Sequence, residues 1–476
     1  MMKIVMAAAE CAPFAKAGGL ADVLGALPKE LSRLGHEITV IIPKYSLIAD
    51  QYTSEFVQKE SIEMPFKGQQ KTFRVFEYAQ TGVNYLFMEY DDYFKRDQIY
   101  GQSDDAERYA FFNRAVLEIV QQRKLQPDVI HVHDWHAAAT LFLLKEDSRY
   151  ESIKATKTVL TIHNLQFQGK YSKKTFLENF EMDERYYDEG LVEWKGNFNS
   201  LKTGIFYADK VTTVSPTYRD EILTDFYGEK LNSFLQEKEQ DLIGILNGID
   251  LEVYNPASDL SIAREFDVMS MEGKQVNKRE IQLKAGLPER GDVPLLTMIS
   301  RLSGQKGIDI LQEMLPDLLS NEDVQFVLLG SGEEQYEMFF KELDIDFPGQ
   351  VSINIGFDEG FAHLLYAGAD IFLMPSHFEP CGLSQLISMR YGTVPVANKT
   401  GGLKDTVIEY DENQKSGNGF LSDFSKDKSF DSALQRCLTF YQQSDHWEAI
   451  KKNGMTGDYS WSRSAAEYAE LYERLI

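Results

Sequence analysis

Four short clusters in this chain combine residue types suited to an anionic or hydroxyl-rich ligand. The first is Lys16-Ala17-Gly18-Gly19-Leu20. Paired glycines let a phosphate approach the backbone, free N–H groups at a helix start favour an anion, and Lys16 adds positive charge. An ordinary turn has the same letters. The second is His131-Val132-His133-Asp134-Trp135-His136. Three close histidines suggest a metal, yet His131 and His133 share one strand face while His136 opens a helix. No second carboxylate-rich patch completes a ligand set. Packed, hydrogen-bonded histidines fit better, and polar groups lining a sugar pocket fit better still. A His163-Asn164 pair ends the next strand, a position that favours ligand contact.

The third cluster, Ser300-Arg301-Leu302-Ser303-Gly304-Gln305-Lys306-Gly307, carries two cations on one loop. Arg forms bidentate bonds and Lys acts as a point charge, so the pair could clamp a diphosphate. Solvated loop cations have the same spacing. In the fourth, Pro375-Ser376-His377-Phe378-Glu379-Pro380-Cys381-Gly382-Leu383, a glutamate between Phe and Pro is partly shielded and so positioned. Gly382 and Leu383 open a helix that could again face phosphate. Downstream, Thr400-Gly401-Gly402-Leu403 repeats the order of strand, paired glycine and helix. No GxGxxG or GxxxxGK[ST] string follows a strand, which argues against a dinucleotide-dependent oxidoreductase and a Walker-type NTPase.

These clusters need elements to hold them, and β-branched runs alternating with helical patterns supply those elements. Strands are predicted at 3–8, 37–42, 83–87, 129–133, 159–163 and 210–214, then in a second series at 295–300, 324–329, 351–355, 371–374 and 394–397. Amphipathic helices are predicted at 20–34, 308–319 and 383–391. Alternation of this kind predicts parallel sheets covered on both faces, and two series predict two doubly wound domains. The break is placed near the ILNGID string, giving domains of 1–245 and 246–455. Tyr468, Leu471, Tyr472 and Leu475 form one apolar stripe on a last helix at about 456–476. That helix packs on its own domain or crosses back to brace the first. Open α/β sheets bind ligands beyond the carboxyl ends of their strands, which is where most of the clusters fall.

A formal net charge of −25 argues against nucleic acid and anionic membrane surfaces as partners. An anionic ligand would therefore need a local group of cations. Three scattered cysteines, Cys11, Cys381 and Cys437, form neither a disulfide framework nor a zinc site and suit a reducing, cytoplasmic setting. No run of about 20 apolar residues occurs, so no membrane span is expected.

The strings KAGGLADV, HDWHA, TIHNLQFQG, ILNGID, SRLSGQKGID, PSHFEPCGLSQL and TGGLKDTV, in this order, resemble the bacterial glycogen synthase and plant starch synthase family. The resemblance runs from Lys3 to the terminal SWSRSAAEYAELY. It implies an α/β GT-B architecture, with two Rossmann-like doubly wound domains facing across a cleft and the last helix returning to the first. The activity it implies is retaining, metal-independent transfer of glucose from ADP-glucose to the non-reducing 4-hydroxyl of an α-1,4-glucan such as glycogen, with no cofactor.

By position, the resemblance implies a catalytic group of Glu379, Arg301, Lys306 and His163. Arg301 and Lys306 would neutralise charge growing on the departing ADP. His163 would hold the region of the glucosyl 6-hydroxyl, with Asn164 beside it. Glu379 would lie near the transferred glucose, without being assigned as a covalent nucleophile. Lys16, Gly18 and Gly19 would contact the donor diphosphate and the acceptor side, and Asp22 belongs to the same substrate-binding stretch. Asp134 and Asn247 would line the sugar and acceptor side. Cys381, Gly382 and Leu383 would present backbone N–H groups to the sugar, and Thr400 with Gly401 would meet phosphate or ribose. Phe357, where the family often has Tyr, would stack on adenine.

Two departures stand out. Ala17 replaces the usual Thr or Val. Ile387 stands where related retaining enzymes such as sucrose-type synthases carry a second Glu, which favours the glycogen and starch synthase branch. Two rivals remain: a transferase using UDP-glucose or another acceptor, and a silent glucan-binding protein. The second should have lost at least one of Lys16, His163, Arg301, Lys306 and Glu379, and all are present.

Overall fold

A computed structural model describes residues 1–423 and 429–476. The chain divides into two compact units, Met1–Asn247 with Trp461–Ile476, and Gly248–Ser460.

The first unit is built on a nine-stranded sheet. From one edge the strands are Leu242–Gly244, Lys210–Thr213, Lys157–Ile162, Val129–His133, Lys3–Ala7, Glu37–Pro43 and Val83–Glu89, all parallel. An antiparallel hairpin, Val57–Phe66 and Gln69–Gln80, completes the other edge. This hairpin lies outside the predicted strands. Its Lys67-Gly68 turn has positive φ at both residues (52° and 68°), the geometry that joins antiparallel strands through two residues. Ile62, Met64, Phe66, Phe73 and Val75 alternate onto its buried face.

Strand Lys3–Ala7 lies between Glu37–Pro43, which follows it in the chain, and Val129–His133, which comes much later. The strand order reverses there, and a crevice opens beyond the carboxyl ends at such a point. Helix Gly19–Arg33 buries Leu20, Val23, Leu24, Leu27 and Leu31, one stripe at helical spacing. Against it packs the last helix, Trp461–Glu473, which buries Tyr468, Leu471 and Tyr472. The Tyr472 hydroxyl meets Nδ1 of the buried His131 at 2.7 Å, so the terminal helix anchors in the sheet as well as on its surface.

The second unit holds a six-stranded, wholly parallel sheet in the order Val351–Ile355, Gln325–Gly332, Leu295–Leu302, Ile371–Met374, Val394–Asn398 and Phe420–Ser422. Its neighbouring residues feed opposite cores. Leu296, Leu328 and Leu373 enter one cluster, while Leu295, Val327 and Phe372 enter the other. Burial on both faces explains why these strands read as continuous apolar runs. The order reverses between Leu295–Leu302 and Ile371–Met374. Arg301, expected on a loop, instead ends the first of these strands, and the loops after the two carry Lys306 and Glu379.

Tyr472→Phe should leave His131 Nδ1 buried and unpaired. A loss of about 1–3 kcal/mol in unfolding free energy is expected by denaturant titration. An unchanged midpoint would contradict the anchoring role of the terminal helix.

Candidate functional site

In the second unit the two switch-point loops are laced together. Lys306 Nζ donates to Glu379 Oε2 at 2.5 Å, and Ser376 Oγ donates to the same oxygen at 3.1 Å. The His377 N–H donates to the Gln305 carbonyl at 2.9 Å, and Gln305 Nε2 returns a bond to the Phe378 carbonyl at 3.3 Å. His377 Nε2 lies 2.9 Å from both carboxylate oxygens of Asp309. From the next strand, the buried Asn398 Nδ2 donates to the Pro375 and Ser376 carbonyls. The approach is close enough to demand glycine at Gly307, where φ is 68° and a Cβ would stand 2.0 Å from the Pro375 carbonyl oxygen.

This lacing makes Glu379 a fixed carboxylate. It is 7% exposed, and its own carbonyl accepts the N–H of Gly402 at 3.0 Å. Gly402 also has no room for a side chain, because a Cβ would meet the Cys381 carbonyl at 2.1 Å. The start of helix Gly401–Thr406 is thereby pressed against the Glu379–Cys381 loop, with Thr400 buried at its N-cap and Gly382 at φ 72° nearby. Leu383 caps the short helix Ser384–Arg390. Ile387, 5% exposed, faces the core rather than a ligand. Arg301 is exposed and forms no ion pair among the described residues. Phe357, just past strand Val351–Ile355, is an apolar ring 81% exposed. The structure thus joins Lys306 directly to Glu379 and leaves Arg301 open.

In the first unit, the loop after Lys3–Ala7 carries Lys16, Gly18 and Gly19 to the start of helix Gly19–Arg33. Glu10, which the sequence reading passed over, reaches back into this loop. Its Oε2 accepts the N–H groups of Ala17 at 2.5 Å and Gly18 at 3.0 Å. The Gly18 N–H offered to an anion by the sequence is therefore already satisfied, because a buried carboxylate from the same loop needs those donors itself. Burial raises the Glu10 pKa, and the two backbone bonds pull it partly back. Lys16 is half-exposed and pairs with Asp22 at 2.7 Å.

Asp134 opens helix Asp134–Glu146 at φ 55°, the left-handed region, where a non-glycine residue carries strain of about 1 kcal/mol or more. That conformation lets Oδ1 accept the His163 N–H at 2.7 Å, joining the ends of two neighbouring strands. Burial pushes the Asp134 pKa up to about 7. His163 and Asn164 lie just past strand Lys157–Ile162, both half-buried. Asn247 is buried, and its Oδ1 has no hydrogen-bond partner among the described residues.

An aromatic wall, also unread in the sequence, completes this end of the sheet. The ring of Tyr100 lies 4.6 Å from His136, and Trp135 lies 5.2 Å from Tyr109 and 6.0 Å from Tyr171. Gly169, φ 62°, makes room for Trp135, since a Cβ there would stand 2.4 Å from the indole. Flat faces beside buried polar atoms suit a sugar ring. Among the described residues no group of three or more His, Cys, Asp or Glu is placed to hold a metal ion.

Residues 3–237 match the model of the starch synthase catalytic domain, and residues 280–454 match glycosyl transferases group 1. The catalytic domain of starch synthase IV from Arabidopsis thaliana, solved with ADP and acarbose, aligns with a TM-score of 0.93 at 34% identity over 99% of each chain. Sucrose-phosphate synthase from Thermosynechococcus elongatus aligns with a TM-score of 0.62 at 16% identity, a likeness of fold alone. The fold is that of a two-domain GT-B glycosyltransferase. Across its full length the chain is 47% identical to glycogen synthase of Geobacillus thermodenitrificans and 45% identical to that of Bacillus subtilis, covering 98% of each. The protein belongs to the glycogen synthase family.

Burial depresses the pKa of His131, His133, His136 and His163, to about 3 for His131 and His163. Unfolded, each would take a proton near pH 6.5. Their contribution to stability is therefore complete above about pH 6.5 and is lost as pH falls toward 3, by about 1.4 kcal/mol per pH unit for each group. Glu10, Asp134, Asp147 and Asp344, whose pKa values are raised, act in the opposite sense. His36 is also lowered, however, so four carboxyls face five imidazoles, three of the latter buried. The denaturant midpoint is expected to fall between about pH 7 and about pH 5. A level or rising midpoint would mean that the histidines are charged in the folded state.

Proposed function

We propose that this protein transfers glucose from ADP-glucose to the non-reducing 4-hydroxyl of an α-1,4-glucan, in the cytoplasm, with retention at the anomeric carbon and without a metal or other cofactor. The observation that carries the reading is the pair Arg301 and Lys306 at a sheet switch point in a chain of net charge −25. In such a field an anion is held only where cations gather locally. The related starch synthase IV, whose structure contains ADP and acarbose, supports a nucleotide donor and a glucan-like acceptor.

In the reaction the bond from C1 to the β-phosphate oxygen breaks, and ADP departs with the electron pair. The acceptor 4-hydroxyl forms the new bond to C1 and passes its proton to the departing β-phosphate oxygen. Charge grows on the leaving diphosphate, where Arg301 and Lys306 stabilise it most at the moment it appears. Thr400, Gly401 and the backbone N–H groups of Cys381, Gly382 and Leu383 hold phosphate, ribose and sugar, and Phe357 offers its exposed face to adenine. Glu379, held by Ser376 and given up by Lys306 as the diphosphate arrives, steadies the hydroxyls and the positive charge developing on the glucosyl ring. On the first unit, His163, Asn164, Asp134 and Asn247 orient the sugar and acceptor, while Lys16 and Asp22 flank them.

The test is glucose incorporation into glycogen from labelled ADP-glucose and UDP-glucose, with chelator present, for wild type and Lys306→Ala. Strong transfer from ADP-glucose that ignores chelator and falls by about 100- to 1,000-fold in the variant is expected, since one preorganised charge partner contributes about 3–4 kcal/mol. Preference for UDP-glucose would replace the donor. Incorporation from neither would sink the transferase reading in favour of a silent glucan-binding protein.

A further inference from the structure

His131 and His133 stand on the same face of strand Val129–His133, with ring centroids 4.2 Å apart, and both are fully buried. Each nitrogen of His131 has a hydroxyl partner, Tyr472 at 2.7 Å on Nδ1 and Thr161 at 2.7 Å on Nε2. His133 differs. Its Nδ1 lies 3.0 Å from Nε2 of His163, while its own Nε2 is buried with no hydrogen-bond partner among the described residues. His163 Nδ1 likewise has no partner among the described residues, but this ring is only half-buried and so open to a ligand.

The contact between two imidazole nitrogens holds one proton, and only two arrangements of neutral rings supply it. If His163 Nε2 carries the proton, His133 Nδ1 accepts it and His133 must be protonated at Nε2. That leaves a fully buried N–H with no acceptor, the rarest kind of unpaired group in folded proteins. If His133 Nδ1 carries the proton, the orphan is a bare lone pair, which proteins tolerate more often. His163 then accepts at Nε2, and its own proton sits on Nδ1. Both rings stay neutral, since burial holds His133 well below its usual range and His163 at about 3.

We propose that His133 is a positioning residue that fixes the tautomer of His163, so that His163 offers an Nδ1–H donor to an oxygen of the bound sugar. A hydroxyl held by a donor accepts through a lone pair, so the sugar is gripped in one hydrogen-bond sense. Asp134 reinforces the arrangement by accepting the His163 backbone N–H at 2.7 Å. The same strand passes the constraint onward by contact, since His133 lies against His131, which the terminal helix holds through Tyr472. That a sugar is the ligand rests on the transferase reading above; the tautomer does not.

The experiment therefore begins with the free wild-type protein. Long-range proton–nitrogen correlation of histidine labelled with nitrogen-15 assigns the tautomer of each of the eight histidines. His163 is expected protonated at Nδ1 and bare at Nε2, with His133 protonated at Nδ1. A proton on His163 Nε2 would overturn the proposal, whatever the enzyme's activity. Two variants follow. His133→Asn keeps an N–H donor at the position of Nδ1 and is expected to retain both the His163 tautomer and most of kcat. His133→Leu removes the donor, and kcat is expected to fall about 10- to 100-fold, by analogy with loss of the partner that orients a metal-ligating histidine. KM for the donor should change less, and the His163 signals should shift to a mixed or reversed tautomer. Equal losses in both variants, or an unchanged tautomer in His133→Leu, would reduce His133 to a packing role. Correct tautomers in a protein that transfers no glucose would leave this proposal standing and remove the transferase reading instead.

Discussion

The contact between Lys306 and Glu379 organises the second unit's candidate site. A chain of net charge −25 repels an anion everywhere except where cations gather, and Lys306 is one of few placed at the switch point of that unit's sheet. Its charge is met by Glu379 at 2.5 Å. The surrounding design follows from keeping that pair in place. Gly307 gives up its side chain so that one loop can lie on the other, and Asn398 ties down the carbonyls beneath Glu379. Gly402 lets a helix start press against the same loop. On the transferase reading proposed above, a diphosphate reaching Lys306 would compete with this carboxylate and free Glu379 to face the sugar. Arg301, with no ion pair among the described residues, needs no such exchange.

The first unit solves a different problem with similar means. Its polar groups at the strand ends are mostly neutral or satisfied within the chain. Glu10 fills the N–H groups of Ala17 and Gly18, Asp134 holds the backbone of His163, and the histidines are kept uncharged by burial. Such a surface offers directed hydrogen bonds and flat rings rather than charge, which suits a neutral carbohydrate. The strain at Asp134 is tolerated because two strand ends depend on it.

Much of this was legible in the sequence because glycines and apolar runs leave clear marks. Parallel strands buried on both faces read as continuous Val, Ile and Leu runs, so strands such as Ile371–Met374 and Val394–Asn398 stood out, and their following loops drew attention to Glu379 and Thr400. The Val57–Phe66 and Gln69–Gln80 hairpin did not. Its outer face is charged, and its apolar residues alternate with Lys, Glu and Arg, so the decisive mark was the two-residue Lys67-Gly68 turn. Glu10 was illegible because its partners are backbone N–H groups brought near only by the folded loop. The pairing of His133 with His163 was within reach. Parallel register sets His133 beside Thr161, and the period of two along a strand then places His163 on the same face. Tyr100 and Trp135 needed the three-dimensional structure, since no spacing in the chain joins them.

The exchange at Lys306 is tested most directly by calorimetric titration of ADP into wild type, Lys306→Ala and Glu379→Gln, with glucosyl transfer measured on the same samples. If Glu379 competes with the diphosphate for Lys306, Glu379→Gln should bind ADP several-fold more tightly while its transfer falls. Lys306→Ala should lose both binding and transfer. Weakened ADP binding in Glu379→Gln, parallel to that in Lys306→Ala, would contradict the exchange and make the pair a fixed unit that binds the nucleotide together.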